Sequence, residues 1–154
     1  MKILLIKPPL IVPRNFSGMS SFFPPLGLGY IAASLEKNDY DVKILDAGIE
    51  KWRKINKMDD GNQYVGMSFK EITRLIKKEK PDVVGINFLT VQAKSAFFTA
   101  KAVKDANEDI IVVAGGPHIS VKPDQTISDQ NIDFIVIGEG EITMLELVKA
   151  LETN

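Results

Sequence analysis

The sequence predicts a doubly wound α/β domain, a five-stranded parallel sheet with helices on both faces. Three observations lead there. Five short runs are rich in Ile and Val with little apolar–polar alternation, the pattern of strands covered on both sides. Amphipathic stretches of helical period separate these runs, so strand and helix alternate along the chain. No linker, repeat or low-complexity segment divides the 154 residues, a length that suits one domain with a real core.

The first run, Lys2–Ile6, opens like a signal peptide, but Lys7-Pro8-Pro9 breaks it early and no small-residue cleavage site follows, so it reads as a strand. A long connection, Pro8–Pro25, precedes a helix over Leu26–Lys37 with Asn38 as its C-terminal cap. The second strand is Asp41–Asp46. Another long connection, Ala47–Met67, carries Trp52 among charges and Asp59-Asp60-Gly61-Asn62. It reads as a solvated excursion anchored by the tryptophan, with room for one helical turn. Ser68-Phe69-Lys70-Glu71 spells a capping box at the head of a helix over Ser68–Glu79, whose Ile72, Leu75 and Ile76 share a face. Val83–Phe88 is the third strand. Val91–Asn107 is a helix with Ala93, Ala96, Phe97, Ala100 and Val103 at helical spacing. Ile110–Ala114 and Phe134–Ile137 are the last two strands, with at best a short helix over Pro123–Gln130 between them. Glu141–Leu151, with Leu145, Leu147, Val148 and Leu151, closes the chain as a helix. Right-handed crossovers and five strands favour the flavodoxin-like order 2-1-3-4-5, whose ligands bind at the carboxyl ends of the strands.

Composition narrows the chemistry. With 45% apolar and 25% charged residues the chain is an ordinary globular one, and a net charge of -1 gives no field to attract nucleic acid or an anionic membrane. No apolar run approaches the roughly 20 residues that cross a bilayer, so the expectation is a cytoplasmic protein without membrane insertion. The absence of cysteine excludes disulfides, thiol nucleophiles, zinc–thiolate sites and iron–sulfur clusters within this chain, and a single histidine excludes any multi-histidine metal site.

Gly27-Leu28-Gly29-Tyr30-Ile31-Ala32 spells a dinucleotide fingerprint, but that motif works only directly after the first strand, and here roughly twenty residues intervene. The glycines instead allow close packing of the helix on the sheet or on a bulky ligand. A phospho-receiver needs an acidic pair near the end of the first strand and an aspartate ending the third. The chain offers Lys7-Pro8-Pro9 and Asn87-Phe88. Pro8-Pro9-Leu10-Ile11 likewise cannot form the Ser/Thr-rich phosphate loop of a flavodoxin.

Three loops at carboxyl ends of strands carry the stronger signal: Asn87-Phe88-Leu89-Thr90, Gly115-Gly116-Pro117-His118 and Gly138-Glu139-Gly140-Glu141. Paired glycines remove side-chain volume and let a ligand reach the backbone, while Asn87 and Thr90 can hydrogen-bond an uncharged polar group. His118 is expected to play a hydrogen-bonding or structural role. Glu141 suits the positive amino end of the last helix, with Glu139 on backbone amides or a polar ligand edge.

These loops resemble the cobalamin-binding domain at the amino end of class B radical S-adenosylmethionine enzymes, a group that includes many methyltransferases and the anaerobic magnesium-protoporphyrin ester cyclase type. The resemblance runs through Pro24-Pro25-Leu26-Gly27-Leu28-Gly29-Tyr30-Ile31-Ala32 and Pro81-Asp82-Val83-Val84-Gly85-Ile86. It continues in Ala114-Gly115-Gly116-Pro117-His118 and Asp133-Phe134-Ile135-Val136-Ile137-Gly138-Glu139-Gly140-Glu141. Of three signatures common in cobalamin domains, Asn87-Phe88-Leu89 looks like Ser-x-Leu with the serine replaced, and Gly115-Gly116 looks like the Gly-Gly pair. Asp-x-His-x-x-Gly is absent after Ile6.

The resemblance therefore implies base-off binding without a histidine ligand. It places the corrin across the carboxyl edge, with the nucleotide tail between the third and fourth strand loops in space left by Gly115 and Gly116. Leu10, Ile11 and Val12 would form an apolar floor below the cobalt, the only metal implied. The implied contacts are Pro9, Leu10, Ile11, Asn87, Phe88, Leu89, Thr90, Gly115, Gly116, Pro117, His118, Gly138, Glu139 and Gly140. On this view Gly116→Leu blocks the tail while the domain still folds. A radical S-adenosylmethionine catalytic domain, with S-adenosylmethionine and a cysteine-held iron–sulfur cluster, belongs to a partner or missing part, so this chain alone is not expected to be catalytic. The competing expectation is a regulatory or interaction module of the same fold that binds a nucleotide-like metabolite. A small independent enzyme fits least, since no nucleophile–base pair is legible.

Overall fold

Alternation along the first strand divides the domain in two: Leu4 and Ile6 join one buried cluster, Ile3 and Leu5 the other. The computed structural model describes residues 1–15 and 23–153. Part of the first long connection therefore lies outside the described residues. In chain order the elements are β1 (Lys2–Lys7), β2 (Ile11–Pro13), α1 (Leu26–Glu36), β3 (Asp41–Asp46), β4 (Ile55–Lys57), β5 (Asn62–Val65), α2 (Phe69–Glu79), β6 (Val83–Asn87), a 3-10 turn Thr90–Gln92, α3 (Ala93–Lys104), β7 (Ile111–Gly115), α4 (Pro117–Val121), α5 (Pro123–Ile127), β8 (Phe134–Val136) and α6 (Gly140–Glu152).

The main sheet runs β3-β1-β6-β7-β8 with every neighbouring pair parallel, which is the order 2-1-3-4-5 among its strands. On one face, Ile72 and Ile76 of α2, Ala96, Ala100 and Val103 of α3 and Ile119 of α4 cover Leu4, Ile6, Val84, Ile86, Val112 and Ala114. On the other, Leu28, Ala32 and Leu35 of α1 and Met144 and Val148 of α6 cover Ile3, Leu5, Val83, Val113 and Val136. Among the described residues no helix is long and apolar enough to cross a membrane.

The capping box forms: the Ser68 side chain accepts from the Glu71 amide at 3.3 Å, and the Glu71 carboxylate accepts from the Ser68 amide at 2.8 Å. The end of α1 differs from expectation. Asp39, at φ 64°, takes the left-handed position, while Asn38 serves through its side chain, donating to the Ser34 carbonyl at 2.9 Å. The second long connection differs more. It begins with turns, including a bond from the Glu50 amide to the Asp46 carbonyl, and then forms a hairpin rather than a solvated excursion. β5 pairs antiparallel with β4 and with β2, building a second sheet in the order β2-β5-β4. Tyr64 buries its ring against Phe69 at the head of α2, which fastens this small sheet to the domain. Trp52 is 54% exposed and stacks under Arg53, so the anchor is Tyr64 instead.

Candidate functional site

Period-two geometry places Leu5 and Lys7 of β1, Gly85 and Asn87 of β6, Val113 and Gly115 of β7, and Val136 of β8 on the α1/α6 face. A cavity of about 930 Å³ opens there, between the sheet and the two helices, and extends to the carboxyl ends of the strands. Leu28 and Ile31 of α1 and Met144 of α6 line its depth. Pro24, Leu26, Leu89, Val91 and Pro117 line its outer part. The small sheet contributes Val65, and Leu10 approaches from the first connection.

Glycines make the space. A Cβ at Gly115 would meet nothing within 4 Å, and one at Gly27 would meet only the Asn87 amide nitrogen at 3.8 Å. Gly85, inside β6, lets Leu5 lie across the floor, for a Cβ there would stand 2.8 Å from Leu5 Cδ2. Gly116 behaves otherwise. Its φ is 106°, and a Cβ would lie 2.8 Å from the Phe88 carbonyl oxygen and 3.0 Å from the Phe88 nitrogen. Gly116 is thus a tight turn packed on the neighbouring loop, and Gly116→Leu would break the fold locally instead of filling free space. Gly115 holds the open position.

Nine of the expected contacts line the cavity: Leu10, Asn87, Leu89, Gly115, Gly116, Pro117, Gly138, Glu139 and Gly140. Five stand outside it. Pro9 is buried, Ile11 pairs with Tyr64, and Phe88 belongs to the α2/α3 core. His118, 3% exposed, packs its ring on Phe88 and joins Nδ1 to Thr90 Oγ1 at 3.2 Å. Of the apolar floor expected from Leu10, Ile11 and Val12, Leu10 lines the cavity, while Ile11 and Val12 are committed to the small sheet. Lining residues missed from sequence include Gly85, Val113, Met144, Lys7 and Gln92. A glycine inside a strand was the available signal for Gly85. Val113 and Met144 look like ordinary core until the space beside them is seen.

The cavity's charges sit at the strand ends. Lys7 Nζ donates to Asp46 Oδ2 at 2.9 Å and to the Phe23 carbonyl at 2.7 Å, so the one lysine that lines the cavity among the described residues is already engaged. Asp46 also accepts from the Gly48 and Ile49 amides at 3.1 and 3.2 Å. Among the described residues, the Glu139 and Glu141 carboxylates have no side-chain partner. Glu139 precedes α6 without capping it, contrary to a role on backbone amides. The Asn87 carboxamide likewise has no hydrogen-bond partner among the described residues, and no group of three His, Cys, Asp or Glu side chains there could hold a metal ion.

An open parallel sheet with a glycine-walled crevice at its carboxyl edge defines a ligand-binding domain of the doubly wound class. The chain belongs to the B12 binding domain family, whose model matches residues 19–148. It is similar to an uncharacterized methyltransferase of Pyrococcus horikoshii, at 39% identity over 98% of this chain and 29% of that protein. It is also similar to the cytidylyl-2-hydroxyethylphosphonate methyltransferase of Streptomyces wedmorensis, at 35% identity over 99% of this chain and 29% of the relative. The anaerobic magnesium-protoporphyrin IX monomethyl ester cyclase of Rubrivivax gelatinosus is 32% identical over 92% of this chain and 24% of its own length. The chain thus spans less than a third of these relatives. Among solved structures, a response regulator from Burkholderia multivorans shares the fold, with a TM-score of 0.54 at 15% identity over 98% of this chain and 94% of that one.

Proposed function

We propose that this chain binds cobalamin base-off, without a protein histidine ligand, as the amino-terminal domain of a radical S-adenosylmethionine enzyme that acts as a methyltransferase or cyclase. One observation carries the proposal: beside Gly115 the crevice is empty where a side chain would otherwise stand, on the sheet face closed by α1 and α6. The residues present fit the group. Leu5, Leu28, Val113 and Met144 offer apolar walls to a flat aromatic tail, and Asn87 offers a free carboxamide to its polar edge. Glu139 and Glu141 are placed to accept hydrogen bonds from amide groups around a corrin. The absence of a histidine ligand is supported by the placement of His118, which is buried toward the α2/α3 core and bonded to Thr90. Leu10, which lines the cavity, would present apolar surface to the bound cofactor.

When bound, cobalamin supplies a cobalt centre for methyl transfer or low-potential chemistry. This chain's residues bind it, orient it and exclude water from its tail. S-adenosylmethionine and the iron–sulfur cluster belong to a partner or further domain, consistent with the greater length of the relatives.

The competing reading, a nucleotide-like metabolite, is disfavoured by charge. Lys7 is neutralised by Asp46, and two free carboxylates at the opening repel a polyphosphate. The test is to mix the purified chain with hydroxocobalamin, desalt it and record the visible spectrum. Retained corrin with a base-off profile is expected, and after one-electron reduction of the bound cofactor to its Co(II) state the electron paramagnetic resonance spectrum should show no imidazole nitrogen signature. Failure to retain corrin in any redox state overturns the assignment.

A further inference from the structure

One side-chain tie joins each neighbouring pair of loops around the carboxyl edge. Lys7 bonds Asp46 between the ends of β1 and β3. Gln92, 8% exposed, links β6 to β1: its Nε2 donates to the Pro8 carbonyl at 3.1 Å and its Oε1 accepts from the Leu89 amide at 3.3 Å. His118 joins the loop after β7 to Thr90 after β6 at 3.2 Å. Ser120 Oγ accepts a long bond of 3.4 Å from the Gly138 amide after β8.

Within this lacing His118 is chemically odd. Its Nε2 is buried and has no hydrogen-bond partner among the described residues, which costs folding free energy. An aromatic hydrocarbon ring could take the same place against Phe88 without that cost. The bond to Thr90 is what the imidazole provides and a phenyl ring cannot. That bond lies outside the cavity but joins the two loops that line it, Gly115-Gly116-Pro117 on one side and the loop carrying Leu89 on the other.

We propose that His118 is a positioning residue for the ligand site: its bond to Thr90 sets the spacing of the β6 and β7 loops so that the crevice beside Gly115 is held open before the ligand arrives. Pre-organisation of this kind strengthens binding by lowering the ordering cost. The inference rests on the cobalamin reading, but its mechanical part concerns the ligand-free chain.

The experiment compares wild type, His118→Phe, His118→Asn and Thr90→Val in the full chain, with hydroxocobalamin as probe. His118→Phe should melt at or above the wild-type temperature yet bind roughly three- to tenfold more weakly, the range one net hydrogen bond supports. Thr90→Val should match it, the double variant should be no weaker than either single, and His118→Asn, whose amide can replace Nδ1, should recover most of the affinity. Amide hydrogen exchange over residues 116–118 of the free protein should rise in His118→Phe and Thr90→Val. Wild-type affinity in His118→Phe, or parallel loss of stability and affinity, overturns the proposal. Should His118→Phe not fold, Thr90→Val leaves the Phe88 stack intact, and wild-type affinity in that variant overturns it equally. Should wild type retain no corrin, the cofactor reading fails, and hydrogen exchange alone still decides whether the tie holds the loops.

Discussion

Gly115→Leu separates the cost of folding from the cost of binding, because the free chain has room that the bound chain would not. No atom lies within 4 Å of a Cβ at this position, and its backbone is not in the left-handed region. Replacing glycine in a strand restricts the unfolded chain and so stabilises the fold by about 0.4–1 kcal/mol. With the crevice filled by a ligand, the same side chain overpacks the site at a cost of about 1–3 kcal/mol. At 1.4 kcal/mol per tenfold, affinity should fall about five- to 150-fold. Gly116→Ala is the internal control. Its φ of 106° and the 2.8 Å approach to the Phe88 carbonyl should cost about 1–3 kcal/mol of stability. The assay pairs thermal denaturation with spectroscopic titration of hydroxocobalamin. A Gly115→Leu chain that binds like wild type refutes the tail path. One that is as unstable as Gly116→Ala refutes the assignment of the two glycines to different environments.

Three further outcomes follow from the structure. Hydrogen bonds from Lys43 and then Lys2 lower the Glu79 pKa from 4.5 to about 2, and Lys51, Lys54 and Ser68 hold the Glu71 carboxyl well below the usual range. Both groups bind fewer protons folded than unfolded, so their stabilisation is complete above about pH 5 and is lost as pH falls toward 2. Urea denaturation across that window should show the slope, reduced in Glu79→Gln, and an unaltered slope in that variant would contradict the assignment. Ser68→Ala should cost about 0.5–2 kcal/mol by removing the cap on α2, with wild-type stability as the contrary result. Gly66→Ala, at φ 118° and colliding with the Ala47 carbonyl, should lose about 1–3 kcal/mol through backbone strain and loosen the small sheet. Proteolysis should then rise between β4 and β5, and unchanged resistance would argue against that packing.

The main sheet was legible because its central strands β1, β6 and β7 are buried on both faces, and a run such as Ile3-Leu4-Leu5-Ile6 has no other economical use. The small sheet was not. β4 has three residues with Ile55 60% exposed, and its partner β5 is completed by β2 from a distant part of the chain, so no local pattern marks it. Asp60-Gly61, within the polar run Asp59–Gln63, was the available turn signal. At the site, the glycine-rich strand ends could be read but their directions were not. Gly115, on the cavity face of β7, leaves open space, whereas Gly116, although it also lines the crevice, turns the chain at φ 106° against the Phe88 backbone. The crevice walls were hidden for a different reason: Leu28 and Met144 sit at ordinary core positions, and nothing in their periodicity shows that the volume between them is unfilled.

The likeness to a response regulator shows how little the sheet itself decides. A phospho-receiver reading of this sheet would need carboxylates at the ends of the first and third strands. Here those ends carry Lys7, tied to Asp46, and Asn87, a neutral carboxamide between Gly27 and Gly116. Among the described residues a divalent cation finds no cluster of three acidic or histidine ligands, and a phosphate finds the one lysine at this edge already paired. What the edge offers instead is volume, apolar wall and a few neutral or accepting groups. On the cobalamin reading it discriminates by shape, and a bulky ligand whose rim is amide and whose tail is flat would use every one of those features. A small anion would use almost none.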